Sequence, residues 1–185
     1  LKQLLSLGLD VGTTTTQLVL SELTVENQAS SFTVPRMEIT KRKIIYRSPV
    51  RFTPITSWGI IDGEEIKAWV EQQYAAAGVQ RQQVDTGAII VTGETSRKEN
   101  AEAVLHALSS FAGEFVVATA GPDLESVLAA KGAGAQSLSE IAKKDVLHMD
   151  VGGGTSNLAL LRDGQILRTG CFNVGGRLLK FGEDG

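Results

Sequence analysis

Apolar positions along this chain fall into short runs separated by glycine, proline and hydroxyl residues, a pattern that alternates between strand-like and helix-like periods. Residues 4–11, LLSLGLDV, read as a buried strand and 16–23, TQLVLSEL, as a second. The link is short and contains Gly12, so a hairpin is predicted. Residues 24–40 are polar and mixed, with Pro35 placed as in an edge strand or a bend. The run 44–48, IIYRS, is strand-like, and 50–53 either extends it or forms a loop between Pro49 and Pro54. Ile66, Trp69, Val70 and Tyr74 then recur on one helix face. Asp62 stands at the N-cap of that helix with Glu65 three residues later, as in a capping box, and Gly78 ends it.

From residue 87 the pattern alternates. GAIIVTG, 87–93, is a short strand, and SRKENAEAVLHALSSFAG is a helix with Ala101, Val104, Leu105, Leu108 and Phe111 on its apolar face and Gly113 at its end. EFVVATAG, 114–121, is again a strand; Pro122 opens a helix whose first turn carries Asp123 and Glu125. A further helix starts at 134 after the small residues Gly132, Ala133, Gly134 and Ala135. Strand, helix, strand, helix predicts an α/β fold with partly parallel pairing. The last part differs: DVLHMDVGGGTSNLALLRDGQILRTGCFNVGG reads as an antiparallel meander with a hairpin at Asp163-Gly164.

The first hairpin recurs inside that meander. LLSLGLDVGTTTTQLVLSEL and DVLHMDVGGGTSNLALLRDG each place an apolar strand before Asp-Val-Gly, then small and hydroxyl residues, then another apolar strand. Asp10 matches Asp150, Gly12 matches Gly152, Thr14 matches Gly154 and Thr15 matches Thr155. Two such units predict a duplicated fold with two lobes. Alone, either turn could be the polar tip of an ordinary hairpin. Together they point to phosphate: glycine-rich turns expose successive backbone N–H groups to an anion, and threonine hydroxyls add donors. Gly12, Thr13, Thr14, Thr15, Gly152, Gly153, Gly154 and Thr155 are the expected phosphate ligands. Two carboxylates beside a polyphosphate require a cation, and Mg²⁺ suits Asp10 and Asp150 directly or through its waters. Either Asp, or Glu94 at the end of a parallel-type strand, is a candidate to orient an attacking water. The bland alternative for Glu94 is a carboxylate at a helix start. Neither loop is a P-loop, since no Gly-Lys-Ser/Thr occurs, and no Rossmann fingerprint opens a helix.

Composition narrows the partners. With 42% apolar and 21% charged residues among 185, the chain can build a real core. A net charge of -3 argues against a nucleic-acid partner. Lys41-Arg42-Lys43 reads as a solvated strand entry before Ile44 and Ile45, and Arg97-Lys98 is balanced by Glu94 and Glu99. Cys171 is the single cysteine and reads as packing rather than as a nucleophile; it points to a reducing compartment, here the cytoplasm. His106 reads as a helix-surface residue and His148 as packing, so a His/Cys zinc site is not expected. No run reaches membrane-span length, and the opening LKQLLSLGLD lacks a signal-peptide pattern. Leu1 is not a natural start, so upstream residues are expected to be missing.

The paired DVGTT and DVGGGT motifs resemble those of the actin, sugar-kinase and 70-kDa heat-shock ATPase superfamily. Residues 10–14 and 150–155 match its two phosphate motifs, 131–142 its first connecting helix, and FNVGG, 172–176, the Gly-Gly stretch after the second motif. The resemblance implies an actin-like (ribonuclease H-like) ATPase fold. Residues 1–144 would be the first lobe with phosphate loop 1, and 145–185 the opening strands of the second lobe with phosphate loop 2. The adenosine-binding motif and second connecting helix are expected beyond Gly185, in a longer protein. Across nearly the whole chain, including IIVTGETSRKENAEAVLHALSSFAGEFVVATAGPDLESVLAAKGAGA, the sequence further resembles the EutA family of ethanolamine ammonia-lyase reactivating factors. That likeness implies ATP- and Mg²⁺-dependent release of damaged or cyano-cobalamin from the lyase, in bacterial ethanolamine utilisation, often linked to a microcompartment. It leaves room for a homo-oligomer and implies neither a nucleic-acid nor a membrane partner. Two alternatives share the superfamily: a small-molecule kinase, and an ATP-switched structural protein like actin or the division proteins. Heat-shock members carry a glutamate directly before the proline after the third phosphate-side strand. Here Gly121 precedes Pro122, so that water-activating role is not carried over.

Overall fold

The computed structural model describes residues 1–29, 34, 36–56, 60–92, 104, 107–108 and 114–176. The expectations for Pro35, Gly93, Glu94, Arg97, Lys98, Ala101, Leu105, His106, Phe111 and Gly113 lie outside the described residues. The chain forms two compact units: Leu1–Val11, Thr15–Val91 and Arg97–Ala118 in one, Gly12–Thr14, Thr92–Ser96 and Thr119–Gly185 in the other.

The first unit is built on a sheet. Strands β1 (Lys2–Val11), β2 (Thr15–Asn27), β3 (Met37–Arg47), β4 (Arg51–Phe52), β5 (Thr86–Val91) and β6 (Glu114–Thr119) lie in the order β3-β2-β1-β5-β6, with β4 also on β2. β1 pairs antiparallel with β2 and parallel with β5. The register aligns the apolar residues in rows: Tyr46, Leu20 and Leu7; Leu18, Leu9 and Ile89; Thr16, Val11 and Val91. Because side chains alternate across a strand, all of these share one face. Helix α1 (Gly63–Ala77) contributes Ile66, Trp69, Val70 and Tyr74 to the same core, and the helical residues Val104 and Leu108 join them. Burying each large side chain here is worth about 1.5–3 kcal/mol. Three hydrogen bonds tie polar groups into this layer: Leu18 N–H donates to Ser48 Oγ at 2.9 Å, Tyr46 Oη donates to Gln73 Oε1 at 2.8 Å, and Thr16 and Thr53 share a hydroxyl hydrogen bond of 3.0 Å.

α1 starts and stops where its caps predict. Asp62 accepts from Glu65 N–H at 3.0 Å, and Gly78 ends the helix with a left-handed φ of 66°. Only half of the expected capping box is present. The Asp62 N–H donates instead to Pro54 O, and the Glu65 carboxylate pairs with Arg51, whose guanidinium also lies over Trp69. Lys41-Arg42-Lys43 does not enter a strand. It lies in the middle of β3, an edge strand, with all three side chains exposed, where charge discourages edge-to-edge pairing.

The second unit packs helices α2 (Pro122–Gly132) and α3 (Ala135–Ala142) on the antiparallel meander β7 (Val146–Val151), β8 (Ser156–Arg162) and β9 (Gln165–Phe172). Among the described residues its core is Ala130, Ala135, Ala159 and Leu161, with Val146 and Ile166 against them. Two buried hydroxyls join helix to sheet. Ser126 Oγ lies 2.8 Å from Pro122 O and 3.3 Å from Gly170 O, while Ser139 Oγ donates to Lys144 O at 3.1 Å and accepts from Gly164 N–H at 3.3 Å. Asp163 and Gly164 both have positive φ, 47° and 76°, as a two-residue hairpin turn requires. On the other sheet face Leu147, Met149, Val151 and Phe172 are exposed. This grouping differs from the expected boundary at residue 144: α2 and α3 cluster with β7–β9, because their small residues bury against that sheet.

Ile66→Ala removes a fully buried side chain from the α1–sheet contact and is expected to cost about 2–5 kcal/mol of stability. Urea unfolding measures it; a loss below about 1 kcal/mol would contradict this core assignment.

Candidate functional site

The two recurring hairpins have the same local architecture. In the first, Asp10 pairs with Gln17 and Val11 with Thr16, leaving residues 12–15 as the connection. In the second, Asp150 pairs with Asn157 and Val151 with Ser156, leaving residues 152–155. Each Asp therefore sits on a strand, one position before its end, with an amide side chain directly across the ladder. Asp10 and Asp150 are both exposed. Neighbours Leu9 and Val11 carry the buried alternation in β1, which places Asp10 on the opposite sheet face.

The threonines divide. Gly12, Thr13 and Thr14 lie in the turn and group with the second unit. Thr15 already belongs to β2, opposite Phe52, with its side chain exposed. Thr16 is buried against Thr53, in keeping with its place in the outgoing strand. Within the second unit the turn reaches the glycine loop. A Cβ placed on Gly153 would fall on Thr14 Oγ1 and 2.6 Å from Thr14 Cβ; one on Gly154 would lie 3.8 Å from Thr13 Cγ2. Thr13, Thr14, Gly153 and Gly154 are thus brought together, and Thr14 occupies the space that glycine leaves at 153 (no other residue is small enough).

The glycine loop also has a definite polarity. Gly152 N–H donates to Thr155 O at 2.9 Å, and Gly176 N–H donates to Gly152 O at 2.8 Å. Among the described residues no hydrogen bond takes the N–H of Gly153 or Gly154, and both glycines are exposed. Two loop carbonyls, of Gly152 and Thr155, accept from backbone amides, and the loop's glycines lie at the surface. Such a loop can accept an anion on its N–H groups. Among the described residues no cluster of three or more His, Cys, Asp or Glu could cage a metal.

Asn157 escaped the sequence reading. It is 2% exposed, its Oδ1 meets no partner, and it lies across from Asp150 on one side and Cys171 on the other. Gln17 is its counterpart, with Nε2 donating to Ser48 O at 3.3 Å. A usable signal was present: both amides follow their Asp by seven residues, 10 to 17 and 150 to 157. His148 lies on the same face of β7 as Asp150, half-buried and with Nδ1 buried without a partner. Burial, then the Glu125 and Asp123 carboxylates, push the Cys171 thiol pKa up. That is the opposite of what a nucleophilic cysteine needs.

Residues 2–185 match the family described as ethanolamine utilisation protein EutA. A curated relative, the ethanolamine ammonia-lyase reactivase EutA of Salmonella typhimurium, is 52% identical over 100% of this chain. The chain belongs to the EutA family. It spans 39% of that relative's length. Solved structures at low identity share its fold: the Aquifex aeolicus PPX-GPPA enzyme, at 18% identity and a TM-score of 0.62, covering 94% of this chain and 54% of its own, and the ethanolamine utilisation protein EutJ of Carboxydothermus hydrogenoformans, at 20% and 0.54, covering 95% and 53%. The EutA-family chain therefore carries the fold that these structures share, over about half of their length.

The contact at Gly153 yields a coupled pair of substitutions. Gly153→Ala is expected to cost about 1–3 kcal/mol because Thr14 must move. Adding Thr14→Gly should recover most of that loss, and additive costs in a double-mutant unfolding cycle would contradict the contact.

Proposed function

We propose that this chain is the phosphate-holding part of an ATP- and Mg²⁺-dependent reactivating factor, which frees ethanolamine ammonia-lyase of inactive cobalamin in the bacterial cytoplasm. Family membership supports the partner; the relative that matches the whole chain is named for reactivating that lyase. The pair of Asp-bearing hairpins supports the nucleotide, and the open amides of Gly153 and Gly154 carry it most directly.

The roles follow from residue chemistry. Gly153 and Gly154 offer N–H groups and Thr155 a hydroxyl to the terminal phosphates, Gly152 and Gly12 form the tight turns, and Thr13, Thr14 and Thr15 add hydroxyls. Asp10 and Asp150 are the residues that would hold Mg²⁺. The donor set suits that ion, which takes one or two carboxylates and keeps water and phosphate oxygens as its other ligands. Bound there, Mg²⁺ would offset charge on the phosphates. Asp10, Asp150 or Glu94 orients the attacking water by accepting its hydrogen bond. Association with a microcompartment and self-association belong to the same proposal.

Full-length protein with Mg-ATP is expected to restore activity to lyase inhibited with cyanocobalamin. No restoration would overturn the reading, and ADP release stimulated by a small hydroxyl acceptor would replace it with a kinase. Asp10→Asn and Asp150→Asn should each weaken Mg²⁺-dependent nucleotide binding by about 10-fold or more. Titration calorimetry with and without Mg²⁺ measures this, and two unchanged variants would remove the metal-site assignment.

A further inference from the structure

The segment after β9 passes directly over the glycine loop. A Cβ on Gly175 would stand 2.5 Å from Gly153 O, 2.6 Å from Gly152 O and 2.6 Å from Gly153 C. Those are backbone atoms, so no rotamer change could relieve the clash. A Cβ on the next residue, Gly176, would make only ordinary contact, 3.7 Å from Gly152 O. Two hydrogen bonds hold the approach: Gly176 N–H to Gly152 O at 2.8 Å and Ser156 Oγ to Val174 O at 2.5 Å.

We propose that residues 173–176 are a strap that sets the polarity of loop 152–155, with Gly175 as the positioning residue. This rests on the reading of that loop as a phosphate site. A loop of small residues can turn either its carbonyls or its amides outward, and an anion is repelled by the first and bound by the second. Gly176 N–H engages the Gly152 carbonyl, and the close approach at Gly175 keeps it there. The amides of Gly153 and Gly154 then face outward without a side chain having to hold them. The strap acts through the loop and needs no contact with the anion.

The test uses full-length protein and two probes, inorganic tripolyphosphate and Mg-ATP, with adenosine as a phosphate-free control. Gly175→Ala is expected to weaken tripolyphosphate and Mg-ATP binding by about 10-fold or more and leave adenosine binding unchanged. Gly170→Ala, a β9 glycine whose added Cβ meets nothing within 4 Å, should stay within about 2-fold for all three. Equal behaviour of the two variants, or a matching loss for adenosine, would overturn the proposal. If Gly175→Ala does not fold, Ser156→Ala removes the strap's side-chain tether and should show the same phosphate-selective loss; unchanged binding there overturns it. If the unaltered protein binds neither phosphate probe, the functional reading fails by itself. The strap is then read by amide hydrogen exchange across 152–155. Faster exchange in Gly175→Ala than in Gly170→Ala supports it, and equal exchange overturns it.

Discussion

Val11 is fully buried, and it is held in register by two strands at once: antiparallel to Thr16 on β2 and parallel to Val91 on β5. This three-strand register determines where β1 ends. A slip by one residue would turn Leu7, Leu9 and Val11 outward and drive Asp10 into the α1 core, an unpaired carboxylate among Ile66, Val70 and Leu18. The cost of that error is large, so the position of Asp10 is enforced by hydrophobic burial at its neighbours. The turn 12–15 then begins at a set place. Chemistry at the loop depends on a core that takes no part in it.

The second unit reaches the same hairpin geometry on smaller core residues among those described. Among the described residues its core is alanines and Leu161, joined by the hydroxyls of Ser126 and Ser139, which satisfy carbonyls at the helix–sheet contact. Small residues let α2 and α3 approach the sheet closely, and hydroxyls replace hydrogen bonds that burial would otherwise remove. The glycines at 152–154 and 175 use the same freedom on a finer scale. Backbone lies against backbone where any side chain would collide. One glycine loop is thereby supported by the threonine turn at Gly153 and by the strap at Gly175.

Much of the fold was legible in the residue pattern. The β1–β2 hairpin, the α1 face and its caps, the strands at 86 and 114, the helices after 121 and the final meander all follow from strong local periods or from Gly, Pro and Asp at their ends. The misses share a cause. β3 starts seven residues before its apolar run at 44, because long pairing with β2 stabilises polar residues exposed on both faces. The capping box formed only in part because Pro54 and Arg51, distant in sequence from the cap's own residues, competed for its groups. Asn157 was passed over because its signal lies in the repeat of the two hairpins, an amide seven residues after each Asp, and not in hydrophobic periodicity.

The sequence by itself determined the two hairpins, their carboxylates and glycines, and the family, since these rest on short motifs and on residues whose backbone preferences act within a few positions. Tertiary structure alone decided which of those residues meet. Thr14 against Gly153 and Gly176 on the Gly152 carbonyl depend on register and on the space left by missing side chains. Register follows from summed burial over whole strands, and free space follows from packing of residues far apart in the chain. Neither can be read from a window of ten residues.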